Sequence, residues 1–115
     1  SIARAPKSPS HNIRLADHSR CHALGEGTAM QVLHRPTHFT IFACDAFGVR
    51  LKDGGTPFSV SVRGRSSVHP TIRDMHDGSY EVEWQATVSG LYMVSATLRG
   101  HHIMGSPFTA RVVSP

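Results

Sequence analysis

The amino-acid sequence predicts an all-β fold: a sandwich of about seven short antiparallel strands in two sheets. Three observations carry that expectation. Apolar residues recur at every second position in several short runs, the period of a strand with one buried face. Gly, Pro and Asp break the chain between those runs at turn-like intervals. No stretch sustains the i, i+3, i+4, i+7 pattern of an amphipathic helix.

Residues 1–11 are rich in Ser, Pro and basic side chains without periodicity, so they read as a flexible linker, with the folded domain spanning 12–115. A first strand is expected near Asn12-Ile13-Arg14-Leu15. Phe39, Ile41 and Ala43 then alternate onto one face of a second strand, which Asp45-Ala46-Phe47-Gly48 ends. After Asp53-Gly54-Gly55, the third strand places Phe58, Val60 and Val62 inward and Ser59 and Ser61 outward. Pro70 lacks a ladder donor and confines the fourth strand, Thr71-Ile72-Arg73, to a sheet edge. Asp77-Gly78 marks a tight hairpin into Tyr80, Val82 and Trp84, which point inward while Glu81 and Glu83 point out. Gly90 opens a strand with Tyr92, Val94, Ala96 and Leu98 inward; Arg99-Gly100 turns the chain, and Phe108–Val112 closes the domain.

A length of 115 residues fits one domain with a single core. The formal charge of +4 raises nucleic acid as a partner, but the arginines are scattered singly and form no stripe along the chain, which argues against it. No apolar run reaches the roughly 20 residues that span a bilayer, and no apolar signal segment opens the chain, which lacks an initiator Met and reads as an excised fragment. Two cysteines, Cys21 and Cys44, are too few for a disulfide framework. Free, buried thiols in a cytoplasmic protein are expected; a Cys21–Cys44 bridge is the alternative.

Three motifs in the second half occur together in a fixed order: Asp77-Gly78-Ser79-Tyr80, then Gly90-Leu91-Tyr92, then His102-Ile103-Met104-Gly105-Ser106-Pro107-Phe108. They closely resemble the filamin-type immunoglobulin-like repeat, and looser likeness extends through Gly25-Glu26-Gly27 over nearly the whole chain. Tyr92 resembles a tyrosine corner, whose hydroxyl reaches back to a backbone group. The chain departs from the usual repeat at Ala86 and Ser89, where prolines are common, and at Met104. Together with nine histidines and a basic balance, these departures point to a lone copy within a large protein such as a tripartite-motif or Highwire-like ubiquitin ligase.

No catalytic constellation is present: there is no nucleophile elbow, phosphate-cradling loop or metalloprotease helix. The chain is therefore read as a non-enzyme without a cofactor. Adjacent His101 and His102 would face opposite ways on a strand, and the other histidines lack zinc-site spacing, so no metal is expected. What the resemblance implies is a non-catalytic protein-interaction module, monomeric by itself. Its partner of unknown identity, a protein or peptide, would add as a strand in the groove between the third and fourth strands. The matching residues are Phe58, Ser59, Val60, Ser61 and Val62 on one side and Pro70 and Ile72 on the other, with Arg63 and Arg73 favouring an acidic or phosphorylated ligand. The alternative is a structural spacer that positions neighbouring domains.

Overall fold

The computed structural model describes residues 2–5 and 15–115. Two sheets face each other. The first runs in the order β1 (Ile2–Arg4), β5 (Phe58–Arg63), β8 (Gly90–Leu98), β10 (Phe108–Val113), β3 (Met30–Val32), with the two-residue β9 (His101–His102) also paired to β8. The second runs β2 (His22–Leu24), β4 (Thr37–Phe42), β7 (Ser79–Trp84), β6 (Thr71–Asp74). All pairings are antiparallel except β3 with β10.

The class of fold is as the sequence predicts, but the described residues form ten strands, not seven. The additions β1, β3 and β9 are two or three residues long, too short for an alternating pattern to announce them. The expected first strand near Asn12-Ile13-Arg14-Leu15 falls almost wholly outside the described residues, and β2 is the next described strand after β1. Of the segment 12–15, only Leu15 lies within the described residues, and it belongs to no strand and is 67% exposed.

Period-two burial fills the space between the sheets. Phe39 and Ile41 from β4, Phe58, Val60 and Val62 from β5, Tyr80, Val82 and Trp84 from β7, and Tyr92, Val94, Ala96 and Leu98 from β8 are all buried. Fully burying a side chain of this size contributes about 1.5–3 kcal/mol, so these four strands supply most of the driving force. Their polar atoms are matched. Trp84 Nε1–H donates to the Gly27 carbonyl at 2.9 Å, and the Tyr80 hydroxyl accepts from the Thr56 N–H at 2.8 Å. The Tyr92 hydroxyl donates to the Val88 carbonyl at 2.6 Å and lies 2.7 Å from Ser66 Oγ, which is the corner that the motif implied.

One departure from the usual repeat acquires a physical reason. Ala86 N–H donates to Gln31 Oε1 at 2.7 Å, and Gln31 Nε2 returns a bond to the Ala86 carbonyl at 3.2 Å. Proline at position 86 would remove the first of these donors and strand a buried amide oxygen. Gln31 is only 2% exposed, so the clasp satisfies a polar side chain that water does not reach.

Cys21 and Cys44 are both free and buried. Cys44 N–H donates to Cys21 Sγ at 3.4 Å, and burial pushes the Cys21 thiol up to about 11. Both sulfurs act as small apolar core groups.

Candidate interaction site

β5 is the last long strand of its sheet, and an edge strand presents unpaired N–H and C=O groups to any extended chain that approaches. Here the approaching chain is the protein's own N-terminal segment. Ile2, Ala3 and Arg4 lie antiparallel opposite Ser61, Val60 and Ser59. Ala5 N–H donates to the Phe58 carbonyl at 2.9 Å. Hydrogen-bonded pairs alternate along an antiparallel ladder, so Ala3 and Val60 form the next bonded pair. β1 also touches β6, the edge strand of the other sheet. The residues first read as linker thus include a strand, Ile2–Arg4, seated in the β5/β6 groove.

Side chains on β1 explain how firmly it sits. Ala3 and Ala5 face inward and contribute only methyl groups, while Ile2 and Arg4 face out and are exposed. Net hydrogen-bond contributions of about 1 kcal/mol each are opposed by an ordering cost of about 1–2 kcal/mol per residue. The few bonds of β1 alone do not offset that cost, so β1 is held weakly and a strand with larger inward residues would have more apolar area to bury.

The expected groove residues divide into three groups. Phe58, Val60 and Val62 are core side chains, 0%, 0% and 4% exposed, and offer a partner only their backbone. Ser59 and Ser61 are half-buried on the outer face, small enough to leave the edge accessible. Across the groove, Pro70 is buried and Ile72 is half-buried opposite Val82, packed against the core. The two arginines separate. Arg63 stands on the outer face of the first sheet beside Met93, whereas Arg73 stands on the outer face of the second, opposite Glu81, with its Nε–H directed to Met75 Sδ at 3.3 Å. They do not converge on one ligand position. The cation near the bound strand is instead Arg99, which with Arg4, Ala5, Pro57, Ser59 and Gly100 lines a cleft at the end of β1.

Sequence reasoning did not single out Ala3 and Ala5. Their signal is the alternation Ile2-Ala3-Arg4-Ala5, which is short and embedded among Ser, Pro and basic residues.

The carboxylates elsewhere serve the turns. Asp74 Oδ2 accepts from Gly55 N–H at 2.8 Å and its Oδ1 accepts from His76 N–H at 2.8 Å. Asp77 Oδ1 accepts from Ser79 N–H at 2.9 Å, and the bonds from Ser79 hold its carboxyl below the ordinary range. Glu83 pairs with His38 at 2.7 Å on the open face of the second sheet. Among the histidines, His18 stacks on His101 with ring centroids 4.7 Å apart.

Two packed sheets, a tyrosine corner and a strand-accepting edge define the class as an immunoglobulin-like β-sandwich. Comparison with known proteins gives the family. The sequence matches the family model described as Filamin/ABP280 repeat over residues 15–109, and the chain belongs to that family. It is 30% identical over 105 residues to the E3 ubiquitin-protein ligase TRIM45 of Mus musculus, covering 88% of this chain and 18% of that protein. It is 34% identical over 90 residues to Filamin-C of Rattus norvegicus, covering 78% of this chain and 3% of that protein. The chain thus spans a small part of each relative. Among solved structures, the Lin-41 filamin domain superposes with a TM-score of 0.75 at 19% identity, over 84% of this chain and 95% of that one. The filamin repeat is a non-catalytic fold that typically serves protein interaction or scaffolding. Among the described residues, no helix is long and apolar enough to cross a membrane.

Proposed function

We propose that this repeat binds an extended segment of a partner, or of its own parent chain, by strand addition to β5 in the β5/β6 groove. The observation that carries the reading is the seating of β1 on that edge: it supports an edge that accepts an antiparallel strand in register. Backbone pairing supplies affinity there, and the inward positions that Ala3 and Ala5 occupy set which side chains an added strand can place at alternate positions. β1 then acts as a weak competitor that a partner must displace. The similarity to a tripartite-motif ligase supports a lone repeat within a large cytoplasmic ubiquitin ligase, where the groove would help bring other proteins to the assembly.

The test uses the chain's own segment in trans. Ala3→Glu puts a carboxylate at an inward-facing position and should release β1 without touching the core. A synthetic peptide of residues 1–9 added to that variant should shift the amide signals of residues 58–62. The same peptide N-methylated at Ala3 should not, because it lacks the donor. Equal binding by both peptides contradicts strand addition. Failure of both to bind, with the fold intact, leaves the spacer reading in its place.

A further inference from the structure

All eight acidic residues of the chain lie outside the six strands of the first sheet. Its cations Arg4, Arg63 and Arg111 are exposed, with no carboxylate on any strand beside them. Between Arg63 and Arg111 the outer face is apolar at Leu91 and Met93, 58% and 51% exposed, and Met30, 39% exposed, lies on the far side of Arg111. Register fixes the arrangement. Arg111 stands between Met30 and Leu91, and Met93 stands between Arg63 and Thr109. The other sheet differs in kind, since its outer face carries its own carboxylates, Glu83 hydrogen-bonded to His38 and Glu81 opposite Arg73. Three arginines far apart in the sequence are thus gathered by topology onto one sheet whose strands carry no acid.

We propose that this face docks an acidic amphipathic helix of a partner protein, with its apolar stripe over Leu91 and Met93 and its carboxylates on Arg63 and Arg111. The occupant is a helix because the middle strands β8 and β10 have neighbours on both sides. Their backbone groups are committed, and an occupant lying across them must satisfy its own, as a helix does. The occupant is acidic because nothing on the face balances its charge. Strand spacing of about 4.8 Å and a rise of about 3.4 Å per residue set Arg63 and Arg111 about 12 Å apart. Acidic side chains two helical turns apart, about 11 Å along the axis, match that separation. Nucleic acid fits less well: the sheet has no lysine, and apolar side chains hold the centre where a phosphate track would run. This proposal does not depend on strand addition at β5.

The probe is a stapled helical peptide of about 18 residues with leucines at i, i+3, i+4 and i+7 and glutamates elsewhere. It is titrated into the full 115-residue chain by amide NMR. A lysine-for-glutamate copy and a single-stranded oligonucleotide serve as comparisons. The glutamate peptide should shift the amides of Met30, Leu91, Met93 and Arg111, and the lysine copy should not. The Arg63→Ala/Arg111→Ala double variant, with unchanged melting temperature, should weaken binding about tenfold, since each exposed ion pair contributes a few-fold. Binding indifferent to that double change, equal binding of the lysine copy, or shifts confined to the second sheet or the β5 edge would overturn the proposal. Oligonucleotide binding on this face that falls steeply with salt would overturn it in favour of nucleic acid.

Discussion

Tyr92→Phe is the substitution whose cost can be worked out most closely. Tyr92 is 1% exposed, and its ring packs against Trp84 at a centroid distance of 6.2 Å. Gly64 lies directly against it: a Cβ there would come within 2.2 Å of the ring. Phenylalanine retains the ring, so packing and apolar burial are preserved. What is lost is the hydroxyl, which donates to the Val88 carbonyl at 2.6 Å and pairs with Ser66 Oγ at 2.7 Å. Two neutral hydrogen bonds at about 1 kcal/mol each set the scale. Both partners are near the surface, and water can partly replace the hydroxyl, so the expected loss is about 1–2 kcal/mol, or roughly 3–8 °C in Tm. Urea denaturation with an unchanged m-value is the assay. Combining it with Ser66→Ala should give a total smaller than the two separate losses, because they share one bond. A loss below about 0.3 kcal/mol would show that the corner hydroxyl does not hold the β7–β8 connection.

Three further outcomes follow from the same structure. Trp84→Ala removes a side chain that is 1% exposed together with its bond to the Gly27 carbonyl, and should cost about 3–5 kcal/mol in equilibrium unfolding. Gly78→Ala should cost at least about 2 kcal/mol, since φ is +90° and a Cβ would lie 1.8 Å from the Leu51 carbonyl oxygen. Cys21 should resist alkylation at pH 8 until the protein unfolds. The folded thiol is raised to about 11 by burial while the unfolded thiol ionises near its ordinary value, so the folded state holds the proton longer. That contribution is complete below about pH 9 and is lost as pH rises toward 11, at up to about 1.4 kcal/mol per pH unit.

Much of the sandwich is legible in the sequence because period-two burial is a local property. Phe58-Ser59-Val60-Ser61-Val62 and Tyr80-Glu81-Val82-Glu83-Trp84 state their inward faces outright. Short strands are not legible in this way. β3 forms because β10 offers it a parallel edge, a fact of tertiary structure that Met30-Gln31-Val32 does not encode alone. Strands β5 and β6 form where the alternation predicts them, yet Arg63 and Arg73 do not share a face. Arg63 and Arg73 fall on opposite outer faces because their strands belong to different sheets. The occupant of the edge was hidden for another reason. Alanines supply too little hydrophobic contrast to mark a strand, and Ser/Pro-rich surroundings conceal the alternation at residues 2–5.

Amide hydrogen exchange at Val60 tests the β5 edge most directly, because its N–H faces β1 and not β8. In the unmodified chain Val60 should exchange measurably slower than an open edge amide. In the Ala3→Glu variant that protection should disappear while Ile41 and Val94, inside their sheets, keep theirs. Fast exchange at Val60 in the unmodified chain, or no change on Ala3→Glu, would contradict an edge that takes up an added strand.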